Sequence, residues 1–247
     1  MSKYPSLSFF EHLDELRKRL VVSLAALALG TAAGWFVSDR LLYALTEPLR
    51  RSGEAVYFFA PADAFLVKLK VALLAGFLIS LPVVSSQVWL FISPGLHKHE
   101  KRFLIPLALV TSGLFLTGAV FAYFVVIPAA IQFFMGMQTE VLKPLISVRE
   151  YVSFLTSLIL AFGVAFNLPV FLMGLVITGV LNVQVLNHYQ RHAIVLIFIA
   201  AAILTPSPDI ASQLLLAGPL IVLFEISVVA AVVLEKARRK TPKSVSP

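Results

Sequence analysis

At 59% hydrophobic and 13% charged residues, with a mean hydropathy of +0.92, the 247-residue chain is excluded from the ordinary soluble domains and reads as an integral membrane protein. Long uncharged runs, in place of the short alternation of a lipid-facing barrel, call for helices, because only bonding within a segment satisfies every backbone group in lipid. The net charge of +7 sits beside hydrophobic runs, where anionic headgroups account for it better than nucleic acid does, and the absence of cysteine rules out disulfides, thiolate metal sites and thiol nucleophiles.

Residues 1–19 read as an amphipathic segment at the membrane surface. Phe9, Leu13, Leu16 and Leu20 share one helical face, and Ser8 with Glu11 forms a capping box. Acidic Glu11, Asp14 and Glu15 precede basic Arg17, Lys18 and Arg19, an order that suits the helix dipole and sets up the pairs Asp14 with Lys18 and Glu15 with Arg19. Taken alone this is an interfacial anchor. The run after Arg19 continues past any plausible cleavage point near Ala26-Leu27-Ala28, so the first span is expected to stay attached.

Six spans are predicted in the membrane domain 20–234. The first is Leu20 to Val37, after which Asp39 to Arg51 forms a short amphipathic helix closed near Pro48, a structural turn, within an outer loop or cap. The second runs from Val67 to Ile92, kinked at Pro82. A polar connection, Ser93 to Arg102, leads to the third, Phe103 to Phe134, with a kink or stop at Pro128. Met135 to Glu150 is a polar loop. The fourth, Tyr151 to Val180, is interrupted near Asn167-Leu168-Pro169, and residues 181–192 form another loop. The apolar run Ala193 to Leu204 gives only about 18 Å of helix against a hydrocarbon core of about 30 Å, so the fifth and sixth spans form a short hairpin about Thr205-Pro206. Asp209 caps the helix that follows. Thirteen of the twenty Lys and Arg fall on one side if both termini are cytoplasmic, which gives an N-in/C-in topology. The basic tail 235–247 reads as disordered.

Three polar groups lie within spans: Asn167, Gln213 and Glu225. Each has two readings, a buried polar group that stabilises helix packing or a docking point for a partner helix. The histidines lack metal-ligand spacing, so no metal or other cofactor is predicted. No His-Glu-x-x-His motif and no Gly-x-Ser-x-Gly elbow marks an enzyme. On composition alone a small-solute secondary transporter is the alternative function, although the two halves lack the matching span lengths of an inverted repeat.

Phe10-Glu11-His12-Leu13-Asp14-Glu15-Leu16-Arg17-Lys18-Arg19-Leu20 resembles the N-terminal motif of TatC, the core subunit of the twin-arginine protein translocase. Other segments resemble the family in its order: Pro82-Val83 with Gln87-Val88-Trp89, Ser93-Pro94-Gly95-Leu96 with His99-Glu100-Lys101-Arg102, Phe121-Ala122-Tyr123-Phe124, and Ala161 to Phe166. So do Leu204-Thr205-Pro206 with Asp209 and Ser212-Gln213, and Phe224-Glu225-Ile226. The resemblance implies an all-α, six-span concave bundle that receives twin-arginine signal peptides. It also implies recruitment of single-span TatA- and TatB-like partners, assembly as a homo-oligomer, and passage of folded cargo driven by the proton-motive force. Glu15 and Glu100 map onto the signal-peptide contacts, with His12, Arg17, Phe91, Leu96, Lys101 and Arg102 as companions. A guanidinium fork takes paired bonds from a carboxylate, and Phe91 and Leu96 offer apolar contact to the residues after the arginines. The plainer reading is that Glu15 pairs with Arg19, and Glu100 with Lys101 or Arg102, weakly at a wet surface. At Asn167 the family usually carries an acid. An amide does not titrate, so an ionisable group at this depth would have to be Glu225.

Overall fold

The structure is a computed structural model that describes residues 9–92, 104–139, 144–177, 183–205 and 210–240. The described residues form eight α-helices and two short strands, in order α1 Phe9–Arg51, β1 Val56–Tyr57, α2 Asp63–Ile92, α3 Leu104–Phe121, α4 Ile127–Met135, β2 Ile146–Ser147, α5 Val148–Phe166, α6 Leu168–Ile177, α7 Val183–Leu204 and α8 Ile210–Lys240. Among the described residues, five helical segments are long and apolar enough to cross a membrane, and a sixth, Tyr189–Leu204, is apolar but shorter. Contacts divide the chain into two compact units, residues 1–47 with 58–113, and 48–57 with 114–247.

In the first unit α1 and α2 pack antiparallel in one unbroken register. Arg19 meets Gln87, Gly30 meets Gly76, Gly34 meets Ala72, and Asp39 meets Lys68, so each step along α1 is matched by one step back along α2. From Arg19 to Asp39 is about 30 Å of helix, the thickness of the hydrocarbon core. Polar contacts therefore close the hairpin at both edges of the apolar layer. At the second edge Lys68 Nζ donates to Asp39 Oδ2 at 2.8 Å and lies 5.3 Å from the centre of the Trp35 ring, which itself stands 6.1 Å from the Phe65 ring. Between the clasps, glycines bring the backbones together: a Cβ on Gly30 would stand 2.5 Å from the Gly76 carbonyl oxygen. The third helix joins through hydroxyls. Trp89 Nε1 donates to Thr111 Oγ1 at 3.4 Å, and the Ser112 hydroxyl lies 3.2 Å from that of Ser85.

Two expectations for α1 need correction. It is one helix of 43 residues, so Asp39 to Arg51 is not a separate element, and Pro48 lies inside the helix, not at a turn. The stop comes at Gly53, whose φ of 81° is open to glycine at no steric cost. Gly53 N bonds the Arg50 carbonyl at 3.0 Å and Glu54 N bonds the Leu49 carbonyl at 3.4 Å, the paired bonds of a Schellman cap. Proline removes only one donor from a helix that the capping glycine ends a turn later.

In the second unit, the span that includes α3 and α4 is interrupted by a π-turn, Ala122–Val126, in which the Ile127 N–H reaches back five residues to the Ala122 carbonyl. Pro128 then sits in the first turn of α4, where a missing N–H is tolerated. The irregularity expected at Pro128 is thus taken up just before it. Beyond α4, β1 and β2 pair in parallel, Val56 with Ile146 and Tyr57 with Ser147, and Gln138 Nε2 donates to Glu54 Oε1 at 3.3 Å. α3 and α5 approach closely where Gly118 faces the Phe162 backbone and Gly163 faces the Phe115 ring. Leu172 of α6 packs with Phe224, Val228 and Ala231 of α8, against which Ala193 and Ile197 of α7 also lie.

The hairpin α7–α8 also departs from expectation. The apolar part of α7 is short, but the helix begins at Val183 and has 22 residues, so residues 183–192 are helix and not loop. α8 is not short: its 31 residues continue to Lys240, six residues into the segment read as a tail. Polar Gln190, Arg191 and His192 still belong to α7, because backbone hydrogen bonds form whatever the side chains are, and Gln190 finds a polar partner in Glu225 of α8. Asp209 lies outside the described residues.

Candidate functional site

One turn of α1 carries Asp14, Glu15, Lys18 and Arg19, which line a cleft of about 440 Å³ at the first edge of the α1–α2 hairpin. Their spacing puts all four on one helical face. Arg19 Nη2 donates to Glu15 Oε1 at 3.2 Å, an i, i+4 ion pair in which both side chains are about 70% covered. Arg19 Nη1 donates to Gln87 Oε1 of α2, also at 3.2 Å, and Gln87 Nε2 reaches the Ser86 hydroxyl at 3.4 Å. Arg19 Nε is buried without a hydrogen-bond partner among the described residues. The guanidinium therefore ties Glu15 to the second helix.

Of the eight residues that the resemblance points to, three have described side chains. Glu15 is half-buried in the cleft, while Arg17 is exposed, about 200° around the helix from Glu15. Phe91 is half-buried near the end of α2, one turn after Gln87, and the hairpin register puts it level with Glu15. This brings the carboxylate and an apolar side chain to the same end of the hairpin. His12 is on α1 one turn before Glu15, with its side chain outside the described set. Glu100, Leu96, Lys101 and Arg102 lie outside the described residues. Gln87 is the member that the residue-by-residue reading missed as a partner of Arg19. Its signal lay in the spacing of two antiparallel helices, which a reading of each helix alone does not provide.

The polar groups within spans have intramolecular partners. Gln190 of α7 donates to the Glu225 carboxylate of α8, and Gln213 Nε2 donates to the Phe198 carbonyl at 2.8 Å, so both side chains join α7 to α8. Asn167 stands at the break between α5 and α6. Its own N–H turns to the Val164 carbonyl at 3.0 Å, and its side-chain Nδ2 donates at 3.0 Å to the Gly163 carbonyl, which a regular helix would have paired with that N–H. Pro169 two residues on has no N–H to give. An amide thus repairs the break, a bond that an ionised carboxylate has no proton to make. Asn167 Oδ1 is buried without a partner among the described residues. Asn167→Leu is expected to lower stability by about 1–3 kcal/mol, the cost of leaving the Gly163 carbonyl unpaired. Thermal unfolding in detergent checks this, and an unchanged midpoint would mean that the amide bond adds nothing.

These features define a multi-span helical membrane protein with a charged cleft at one edge of its first hairpin and polar ties within its last. A family model described as Sec-independent protein translocase protein (TatC) matches residues 11–219. The Sec-independent protein translocase protein TatC of Helicobacter pylori is 41% identical over 221 residues, 89% of this chain and 85% of that protein. That of Aquifex aeolicus is 37% identical over 238 residues, 95% of this chain and 98% of the relative. A crystal structure of the twin-arginine translocase receptor TatC matches with a TM-score of 0.83 at 36% identity, over 91% of this chain and all of that one. The chain belongs to the TatC family of Sec-independent protein translocase proteins. It is thus a protein-transport component built of membrane-spanning helices, and none of these relatives supports the small-solute carrier.

Proposed function

We propose that the protein is the twin-arginine signal-peptide receptor and scaffold of a translocase that moves folded proteins across the cell inner membrane. Both termini face the cytoplasm in this reading, the proton-motive force drives transport, and TatA- and TatB-like single-span proteins join the receptor, itself assembled as a homo-oligomer. The observation that carries the reading is the placement of Glu15 in a cleft at the membrane edge, level with Phe91. A carboxylate there accepts the paired bonds of a guanidinium, and an apolar neighbour receives the hydrophobic residues that follow. Glu100 supplies the second carboxylate in this reading, and His12, Arg17, Leu96, Lys101 and Arg102 add further signal-peptide contacts. Asn167, Gln213 and Glu225 serve the partner helices in addition to their ties within the chain.

Photocrosslinking tests this directly. A photoreactive group on the peptide beside its Arg-Arg pair is expected to crosslink to the segments that carry Glu15 and Glu100, and the same group beside a Lys-Lys pair to crosslink less well, because two point charges lack the fork geometry. Equal capture of both peptides, or capture of neither, would remove Glu15 and Glu100 from recognition.

A further inference from the structure

The carboxylate proposed to receive a substrate guanidinium already holds one from its own chain. Arg19 lies one turn along α1 from Glu15, with Nη2 3.2 Å from Glu15 Oε1, and Gln87 of the packed helix fixes the same guanidinium from the other side at 3.2 Å. Two anchors hold it in place, and neither is strong. Only one guanidinium nitrogen faces the carboxylate, the pair is an i, i+4 contact with partial exposure, and Nε is buried with no acceptor among the described residues. A paired, bidentate contact would be both shorter and stronger.

We propose that Arg19 is an internal ligand of the recognition site: it occupies Glu15 in the unbound receptor and must be exchanged for an arginine of the signal peptide. The proposal rests on the reading of Glu15 as a signal-peptide acceptor. Exchange of one guanidinium for another keeps the carboxylate paired throughout, so Glu15 is never left desolvated without a counter-charge, an arrangement that is costly near lipid. It also sets a threshold. Internal competition scales the affinity of every ligand for Glu15 by the same factor, so it lowers binding of Arg-Arg and Lys-Lys peptides alike without changing their ratio. Weak signals then fall below the working concentration while strong ones remain above it.

The test is a double-mutant cycle on the full chain in detergent or nanodiscs, read by equilibrium binding of synthetic Arg-Arg and Lys-Lys signal peptides. Arg19→Gln removes the competing charge and keeps an amide that can face Gln87. It is expected to tighten both peptides about twofold, the factor that matches an i, i+4 ion pair, with their ratio unchanged. Arg19→Lys, a weaker internal partner, should fall between that variant and the parent. In a Glu15→Gln background the Arg19→Gln change should have no effect, since the carboxylate that both ligands contest is gone. General damage to the fold would weaken binding, not tighten it, and would persist in the Glu15→Gln background. If Glu15→Gln weakens binding while Arg19→Gln leaves it unchanged or weaker, the internal-ligand idea is overturned and the receptor reading stands. If Glu15→Gln itself leaves binding unchanged, the reading of Glu15 as an acceptor fails, and the internal-ligand proposal fails with it.

Discussion

Glu15→Gln is expected to reduce binding of an Arg-Arg signal peptide about tenfold while leaving the fold intact. The size follows from what is lost: hydrogen bonds to a charged acceptor contribute about 1.5–3 kcal/mol, and the partial exposure of Glu15 favours the lower end, near the 1.4 kcal/mol that corresponds to a factor of ten. Glutamine keeps the shape and one acceptor oxygen, so packing in the cleft changes little. Stability should hardly move, because the pair with Arg19 is of the i, i+4 kind that contributes only about 0.3–0.5 kcal/mol. Glu100→Gln is expected to lower binding comparably, and the double variant should be inactive in export. Peptide binding by competition, paired with a thermal unfolding curve for each variant, checks both halves of the expectation. A midpoint that drops together with affinity would assign Glu15 to structure and not to recognition.

Much of the molecule was legible from residue order alone, for physical reasons that can be named. Spans two to four were readable because lipid forces long apolar runs to be helical, and the break at Asn167 because Pro169 two residues later has no N–H to give. Pro48 misled because proline weakens a helix without always ending it. The stop depended on the left-handed backbone at Gly53, which an isolated Gly does not announce. Helix α7 departs in the opposite sense: Gln190, Arg191 and His192 read as loop residues, yet a helix carries polar side chains where they find partners, as Gln190 does in Glu225. Pairings across helices were the least legible part. Neither Gln87 with Arg19 nor Gln190 with Glu225 can be read until the antiparallel register is known. A clue to the first register was present in Gly30-x-x-x-Gly34, a spacing of small residues that allows two helices to touch through their backbones.

That backbone contact sets the largest effect expected on the fold itself. A Cβ placed on Gly76 would overlap the Thr31 backbone nitrogen and Cα as well as its hydroxyl oxygen, and two of these three atoms belong to a helix backbone that has no rotamer to change. The added atom can be accommodated only if α1 and α2 separate. Because one register runs from the Glu15–Arg19–Gln87 contact to the Asp39–Lys68 clasp, a separation at Gly76 strains both ends. Gly76→Ala is expected to cost about 1–3 kcal/mol, in the range of overpacking in a filled interior, and Gly76→Leu more, enough to separate the hairpin. Gly113 of α3 supplies the contrast, since a Cβ there meets nothing within 4 Å. Gly113→Ala should gain up to about 1 kcal/mol from helix propensity alone. Thermal unfolding in detergent should therefore place Gly113→Ala at or above the parent, Gly76→Ala below it and Gly76→Leu lowest. Cysteines at positions 19 and 87, where the native side chains meet at their far ends, should be bridged by a short bis-maleimide crosslinker in the parent and fail to be bridged in Gly76→Leu. If Gly76→Leu unfolds at the parent's midpoint, or retains that crosslink in full, the glycine contact does not hold the hairpin and its register must come from the end clasps alone.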